Sequence, residues 1–131
     1  MNPMLQVLVG IVLVAGLNGG ACADQKAAVA ADAELVRLRN DITSLVGAAK
    51  CANLVNCRVA ALGVNACGGP TEYLAYSWLS TEKVALETRI AEYNFALEDA
   101  QKRGTPVSAC TASPEPVAAC VNGRCVIPAG R

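Results

Sequence analysis

Six cysteines between residues 51 and 125 restrict the fold of this chain of 131 residues more than any other feature. They are Cys51, Cys57, Cys67, Cys110, Cys120 and Cys125. An even number of cysteines in a small exported domain is typical of a disulfide framework rather than of reactive thiols. We therefore predict that all six are oxidised, with fifteen connectivities open and each bridge contributing roughly 2 to 4 kcal/mol.

The N-terminus predicts export. Residues 1–23 carry no charge, and an apolar run from Met4 to Leu17 is followed by small residues up to Asp24. This order is typical of a signal peptide, and the run is shorter than the roughly 20 residues of a membrane-spanning helix. The sequence therefore predicts a signal peptide at 1–23 and a single disulfide-braced domain at 24–131, located in the periplasm or secreted.

Two maturation routes are open at the seventh cysteine, Cys22. Ala21-Cys22-Ala23 fits cleavage after Ala23, whereas Gly20-Ala21-Cys22 is similar to a bacterial lipobox in which Cys22 is a candidate lipidation site. Gly19 stands where a lipobox has Leu, and this favours the free product. Lipidation would attach the protein to the bacterial membrane, and either route leaves the same six cysteines.

Two segments have the apolar spacing of amphipathic helices. Apolar residues recur every three or four positions between 26 and 46, where the first half is rich in alanine, and again between 80 and 103. We expect the alanine-rich half to pack loosely. Ser80 is the expected N-cap of the second helix, and Gly104 marks its end. The two apolar stripes most simply bury each other in an antiparallel pair.

The remaining segments contain short apolar pieces between turn residues. Arg58 to Leu62 and Tyr73 to Ser77 are predicted to be short strands or irregular loop, and Asn122-Gly123 is a strong hairpin signal that places Cys120 opposite Cys125. The predicted fold is therefore α+β and mainly helical. It is an antiparallel two-helix hairpin braced by a disulfide-rich middle loop and a small C-terminal β-hairpin.

The spacing of the cysteines favours one local bridge and leaves the others open. We expect Cys57 to bond Cys67, because Gly63 and Asn65 between them allow the chain to turn back. In the C-terminal hairpin, the two facing cysteines can bond each other or reach inward to Cys51 or Cys110.

Several kinds of chemistry lack the residues they need. The chain has no histidine, no Cys-x-x-Cys motif and no clustering among its 11 basic and 11 acidic residues, which disfavours zinc, redox catalysis and nucleic acid. Ser80-Thr81-Glu82-Lys83 is interpreted as a helix start. Glu72, Glu82 and Glu87 could serve a small hydrolase, but carboxylates on helix faces are usually solvated. We expect no enzyme, no catalytic residue, no metal and no cofactor.

The spaced cysteines carry a resemblance to a known group of proteins. Its residues are Cys51-x5-Cys57, Ala66-Cys67-Gly68-Gly69-Pro70-x-x-Tyr73-Leu74-x-x-Ser77, Cys110, Cys120 and Asn122-Gly123-Arg124-Cys125. From Cys51 to Val126 the pattern resembles small exported cysteine-rich bacterial proteins of uncharacterised function. The resemblance implies an extracytoplasmic, disulfide-braced domain and brings no catalytic residue.

The stretch CGGPTEYLAYSW, residues 67–78, is the candidate site. Its glycines and proline favour a scaffold corner, while the alternative is an exposed binding surface formed by Gly68, Gly69, Pro70, Tyr73, Tyr76 and Trp78. The function hypothesis is a non-enzymatic binding or inhibitory module of the bacterial envelope that contacts a protein or glycan through this corner. A purely structural envelope lipoprotein and a small hydrolase are the alternatives.

Overall fold

The computed structural model describes residues 20–104 and 113–129. In these ranges the chain forms helix α1 (Gly20–Val46), a 3-10 turn (Leu54–Asn56), strands β1 (Cys57–Leu62) and β2 (Glu72–Ser77), helix α2 (Lys83–Lys102), and strands β3 (Ala119–Val121) and β4 (Arg124–Val126). Strands β1 and β2 form one antiparallel sheet, and β3 and β4 form a second. The α+β class is confirmed. Residues 1–19 of the predicted signal peptide, and Cys110, lie outside the described residues.

The sheet of β1 and β2 forms the middle of three layers, because alternate residues of a strand point to opposite faces. The face toward the helices packs in an apolar core with residues from β1, β2, α1 and α2, namely Ala60, Leu62, Leu74, Tyr76, Ile42, Leu86 and Ile90. The other face packs against the C-terminal hairpin through a smaller cluster, which includes Cys57, Val59, Ala75, Ala118 and Cys125.

The two helices pack on each other along the predicted stripes, with Leu38, Ile42, Leu86 and Ile90 buried. Residues 24–32 of α1 line a cleft together with residues 100–104, and Asp41 lies 3.7 Å from Arg89. The helices therefore run in opposite directions. All side chains from residue 23 to 30 are exposed, as expected for the alanine-rich half of the first stripe.

The helix starts differ from those predicted. Helix α1 begins at Gly20 instead of residue 26, and α2 begins at Lys83 with Glu82 as its N-cap. The prediction of Ser80 as the N-cap is wrong. The reason is that the backbone N–H of Ser80 donates to the carbonyl oxygen of Ser77, so Ser80 belongs to the turn that follows β2.

The segment between the helices is a regular β-hairpin, so it is more ordered than the predicted disulfide-rich loop. Cys57 opens β1 opposite Ser77, whereas Cys67 lies in the loop that follows the end of β1 at Leu62. A strand rises about 3.3 Å per residue, so β1 carries the chain away from Cys57 before it turns back. The expected Cys57–Cys67 bridge is therefore wrong, and Cys57 bonds Cys125 instead.

The C-terminal hairpin is confirmed. Asn122 and Gly123 both have positive φ, 50° and 74°, as a two-residue type I′ turn requires. Cys120 faces Cys125 in the predicted register, but the two do not bond each other. Both bonds leave the hairpin, from Cys120 to Cys51 and from Cys125 to Cys57.

Candidate functional site

Two neighbouring disulfides hold the three layers together at one end of the molecule. Cys51–Cys120 joins the segment after α1 to β3, and Cys57–Cys125 joins the start of β1 to β4. The first bridge is partly exposed, whereas Cys57 and Cys125 are buried. Cys67 is also disulfide-bonded. Five of the six predicted half-cystines are thus oxidised, and the sixth, Cys110, lies outside the described residues.

The structure separates the predicted Gly68 to Trp78 surface into two parts. Gly68, Gly69 and Pro70 lie in the loop between β1 and β2, whereas Trp78 follows the last residue of β2. Six strand residues at about 3.3 Å each separate the loop from Trp78. The loop and the tryptophan therefore do not form one surface.

The two tyrosines of β2 are engaged within the protein. Tyr76 is only 6% exposed and belongs to the core beneath the helices, so its ring is not available to a partner. Tyr73 is partly buried on the other face, and its hydroxyl donates to the carbonyl oxygen of Ser113 at 3.3 Å. Of the three aromatic side chains in the stretch, Trp78 is the exposed one.

Asn65 organises the glycine-rich loop. Its Oδ1 accepts hydrogen bonds from the backbone N–H groups of Cys67 at 2.9 Å and Gly69 at 3.1 Å. Its backbone N–H donates to the carbonyl oxygen of Gly69, and its carbonyl oxygen accepts from Gly68. These contacts, together with the bonded Cys67, support the scaffold interpretation for this half of the stretch.

Trp78 lies in an exposed apolar area on the disulfide-bonded end of the protein. Its ring is 51% exposed, and its Nε1–H donates to the carbonyl oxygen of Val55 at 2.9 Å. Leu54 and Val55 line one shallow depression with Val117, which is 78% exposed. We call these exposed residues, with the adjacent Leu79, the Trp78 patch: Leu54, Val55, Trp78, Leu79 and Val117.

A buried asparagine fixes the turn that carries part of the Trp78 patch. Oδ1 of Asn56 accepts from the backbone N–H groups of Ala52 at 2.9 Å and Asn53 at 3.2 Å. Oδ1 of Asn53 in turn accepts from Val55 N–H at 3.1 Å. Sequence reasoning missed Leu54, Val55, Leu79 and Val117. The signal available for the first two was a pair of apolar residues between two asparagines, which favour turns.

The three carboxylates of the hydrolase alternative each have a structural partner. Glu72 accepts two hydrogen bonds from Arg39, and these bonds lower the pKa of its carboxyl group. Glu82 accepts from Val84 N–H as the cap of α2, and Glu87 pairs with Lys83 at 3.5 Å on the surface.

The sulfur atoms of Cys51, Cys57 and Cys125 lie within 4.8 Å of one another, which is the spacing of a metal-ligand cluster. All three are oxidised in disulfides. A disulfide sulfur is not the thiolate that binds metals. With both disulfides formed, the three sulfur atoms therefore serve as covalent links between segments and not as metal ligands.

No family model, curated protein or solved structure matches the chain. Within the described residues, no helix is both long enough and apolar enough to cross a membrane. The disulfides fit a protein outside the cytosol, because the cytosol keeps thiols reduced.

Proposed function

We propose that this protein is an exported, non-enzymatic binding or inhibitory module of the bacterial envelope, which contacts its partner through the Trp78 patch. The observation that carries this proposal is the exposed Trp78, hydrogen-bonded to Val55, which lines a depression with the exposed Leu54 and Val117. Grouped exposed apolar residues are typical of interaction sites, and tryptophan is enriched among the residues that dominate binding energy.

The framework beneath the patch supports this role. The turn at Leu54–Asn56 is held by Asn56 and leads directly into the bonded Cys57, while the segment that carries Val117 leads into β3 and its bonded Cys120. A surface that is already ordered loses little conformational entropy when it binds.

The chemistry of the patch favours a protein partner over a glycan. The indole N–H of Trp78 already donates to the carbonyl oxygen of Val55, and Val55 lines a depression with the aliphatic side chains of Leu54 and Val117. Arg58 and Glu115 are the charged residues of that depression. Sugar hydroxyl groups require polar partners, whereas an apolar protein surface matches aliphatic and aromatic side chains.

The proposal includes where the mature protein resides and how its N-terminus is processed. We expect a free periplasmic or secreted product cleaved after Ala23, with lipidation at Cys22 as the alternative. The intact mass of the mature protein distinguishes the two, because a lipid adduct on Cys22 would replace the free product with a membrane-attached one.

The test compares capture by wild type, Trp78→Ala and Phe95→Ala from envelope extract, followed by Kd measurement with the purified partner. We expect Trp78→Ala to weaken binding by about 2 kcal/mol, roughly thirtyfold, as for an interface hot spot. Phe95 is exposed on α2 and serves as the matched control that should bind like wild type.

Each other outcome contradicts a stated part of the proposal. Equal binding by wild type and Trp78→Ala would remove the patch from the hypothesis. Binding to a glycan in place of a protein would overturn the choice of partner. A substrate whose turnover is abolished by Glu72→Gln or Glu87→Gln would replace the binding module with the hydrolase.

A further inference from the structure

The two disulfides lie close enough to react with each other. The sulfur of Cys51 lies within 4.8 Å of the sulfurs of Cys57 and Cys125, although these two are bonded to each other. The partner of Cys51 is Cys120, which faces Cys125 across the C-terminal hairpin. Four half-cystines have three pairings: the observed one, Cys51–Cys57 with Cys120–Cys125, and Cys51–Cys125 with Cys57–Cys120. The pairing Cys51–Cys57 with Cys120–Cys125, called the second arrangement below, is the one in which both bonds are local.

The two bridges differ in accessibility. Cys51 and Cys120 are partly exposed, whereas Cys57 and Cys125 are buried. A thiol from solution therefore meets the Cys51–Cys120 bridge first. Thiol–disulfide exchange proceeds by attack of a thiolate on a disulfide sulfur, so accessibility decides which bridge opens.

We propose that these four cysteines form a thiol-triggered switch in which Cys51 is the internal nucleophile. An external thiolate attacks the sulfur of Cys120, forms a mixed disulfide with it and releases Cys51 as a thiolate. The Cys51 thiolate attacks the sulfur of Cys57, which forms the Cys51–Cys57 bond and releases Cys125 as a thiolate. Cys125 then attacks the mixed disulfide at Cys120, forms the Cys120–Cys125 bond and releases the external thiolate. No net oxidation or reduction occurs.

The exchange changes what the bridges connect. In the observed arrangement, both bonds tie the C-terminal hairpin to the segment of residues 51–57. In the second arrangement each bond is local, one within residues 51–57 and one across the hairpin. The switch therefore removes both of these covalent ties between the hairpin and the β1–β2 layer, and a small thiol or a dithiol oxidoreductase acts as the trigger.

Trypsin reports the arrangement directly. Cleavage after Lys50 and Arg58 gives a peptide that contains both Cys51 and Cys57, and cleavage after Arg124 separates Cys120 from Cys125. In the observed arrangement, peptide 51–58 is joined to two other peptides. In the second arrangement it is released as a single internally bridged peptide.

The experiment incubates the folded protein with substoichiometric reduced glutathione at mildly alkaline pH, quenches with acid and maps the tryptic peptides without reduction. We expect internally bridged peptide 51–58 to appear, without any new cross-link between Cys67 and the four exchanging cysteines. Urea-unfolded protein treated alike is the control, because random exchange there should also join Cys67 to those four cysteines. Peptide 51–58 found only in its cross-linked form would overturn the proposal.

Cys120→Ser gives a second, independent test, because it leaves Cys51 without its partner. We expect alkylation of the native variant to label Cys125, since Cys51 has displaced it from Cys57. Label confined to Cys51 after the same incubation would contradict the assignment of Cys51 as the nucleophile. Circular dichroism confirms that the labelled variant is folded.

Discussion

At the scale of the residue, the buried side chain of Asn56 satisfies two backbone donors. Its Oδ1 accepts from the N–H groups of Ala52 and Asn53 beneath the Trp78 patch. We predict that Asn56→Ala lowers the free energy of unfolding by about 2 kcal/mol, because both donors lose their acceptor. Urea unfolding under oxidising conditions measures this loss. Asn40→Ala, on the exposed surface of α1, should leave the midpoint nearly unchanged, and an equal effect of both variants would contradict the role of Asn56.

The ion pair of Arg39 and Glu72 makes stability depend on pH in a defined direction. The hydrogen bonds from Arg39 lower the pKa of Glu72 from its ordinary value of 4.5. A carboxyl group whose pKa is lowered on folding stabilises the protein above its ordinary pKa, and this contribution is lost as the pH falls through the folded value. Both side chains are more than a third exposed, at 41% and 38%, so the contribution is small.

We therefore predict that Glu72→Gln lowers the free energy of unfolding at neutral pH by up to about 1 kcal/mol. The difference between variant and wild type should shrink as the pH falls below 4.5. Salt should reduce it at neutral pH, because exposed charges are screened. Urea titrations at several pH values measure the difference, and a gap that stays constant into acid would show that charge is not its cause.

At the scale of the element, the sequence predicts the turns and helix faces that depend on residues close together in the chain. The Asn122-Gly123 turn and the buried positions of both helices follow from backbone preference and periodicity, and the structure has them. The sequence groups Tyr73 and Tyr76 on one surface, because it leaves the segment from Tyr73 to Ser77 open between a strand and an irregular loop. In a strand, positions three apart point to opposite faces, so the two rings separate once β2 forms.

The turn after β1 depends on a close approach that only glycine allows. Gly63 has φ +80°, and a Cβ there would lie 1.9 Å from Oγ1 of Thr71. Gly68 has a similar φ of +85° but nothing within 4 Å of an added Cβ. A side chain at Gly68 would therefore cause backbone strain alone, whereas one at Gly63 would cause the same strain and a steric overlap with Thr71.

We predict that Gly68→Ala lowers the free energy of unfolding by about 1 kcal/mol through strain alone, and that Gly63→Ala lowers it by roughly 1 to 3 kcal/mol more. The double variant Gly63→Ala/Thr71→Ala should recover part of the larger loss, because Oγ1 is removed. Thermal or urea unfolding measures all three variants. Equal losses for the two glycine variants would refute the steric argument.

At the scale of the whole molecule, the disulfide pairing was beyond sequence reasoning because it depends on how the layers stack. Cys57 bonds Cys125 only because the C-terminal hairpin packs on the face of β1–β2 that faces away from the helices. The exposed Trp78 patch has the same origin, since Val117 approaches Leu54 and Val55 through this packing.

The adjacency of the two bridges predicts that their contributions to stability are not additive. While one bridge remains, the other closes only a short ring through residues 51–57 and 120–125. In a Cys67→Ala/Cys110→Ala background, which removes the bridge of Cys67, loss of either bridge should therefore lower the free energy of unfolding by roughly 3 kcal/mol, and loss of the second by about 4 kcal/mol, because a much longer loop is then released. Paired Cys→Ala variants at each bridge and at both measure this in urea. A sum of single losses equal to the loss of both would contradict it.

The identity of the cysteine that bonds Cys67 depends on how the N-terminal segment with Cys22 is processed. Cys67 is disulfide-bonded, and Cys51, Cys57, Cys120 and Cys125 bond one another, which leaves Cys22 and Cys110 as candidates. Cleavage after Ala23 removes Cys22, and lipidation would occupy its sulfur. We therefore predict a Cys67–Cys110 bridge by either route. Unreduced tryptic mapping of the exported protein should join peptide 59–83 to peptide 104–124, and a bond to a peptide that contains Cys22 would contradict both routes.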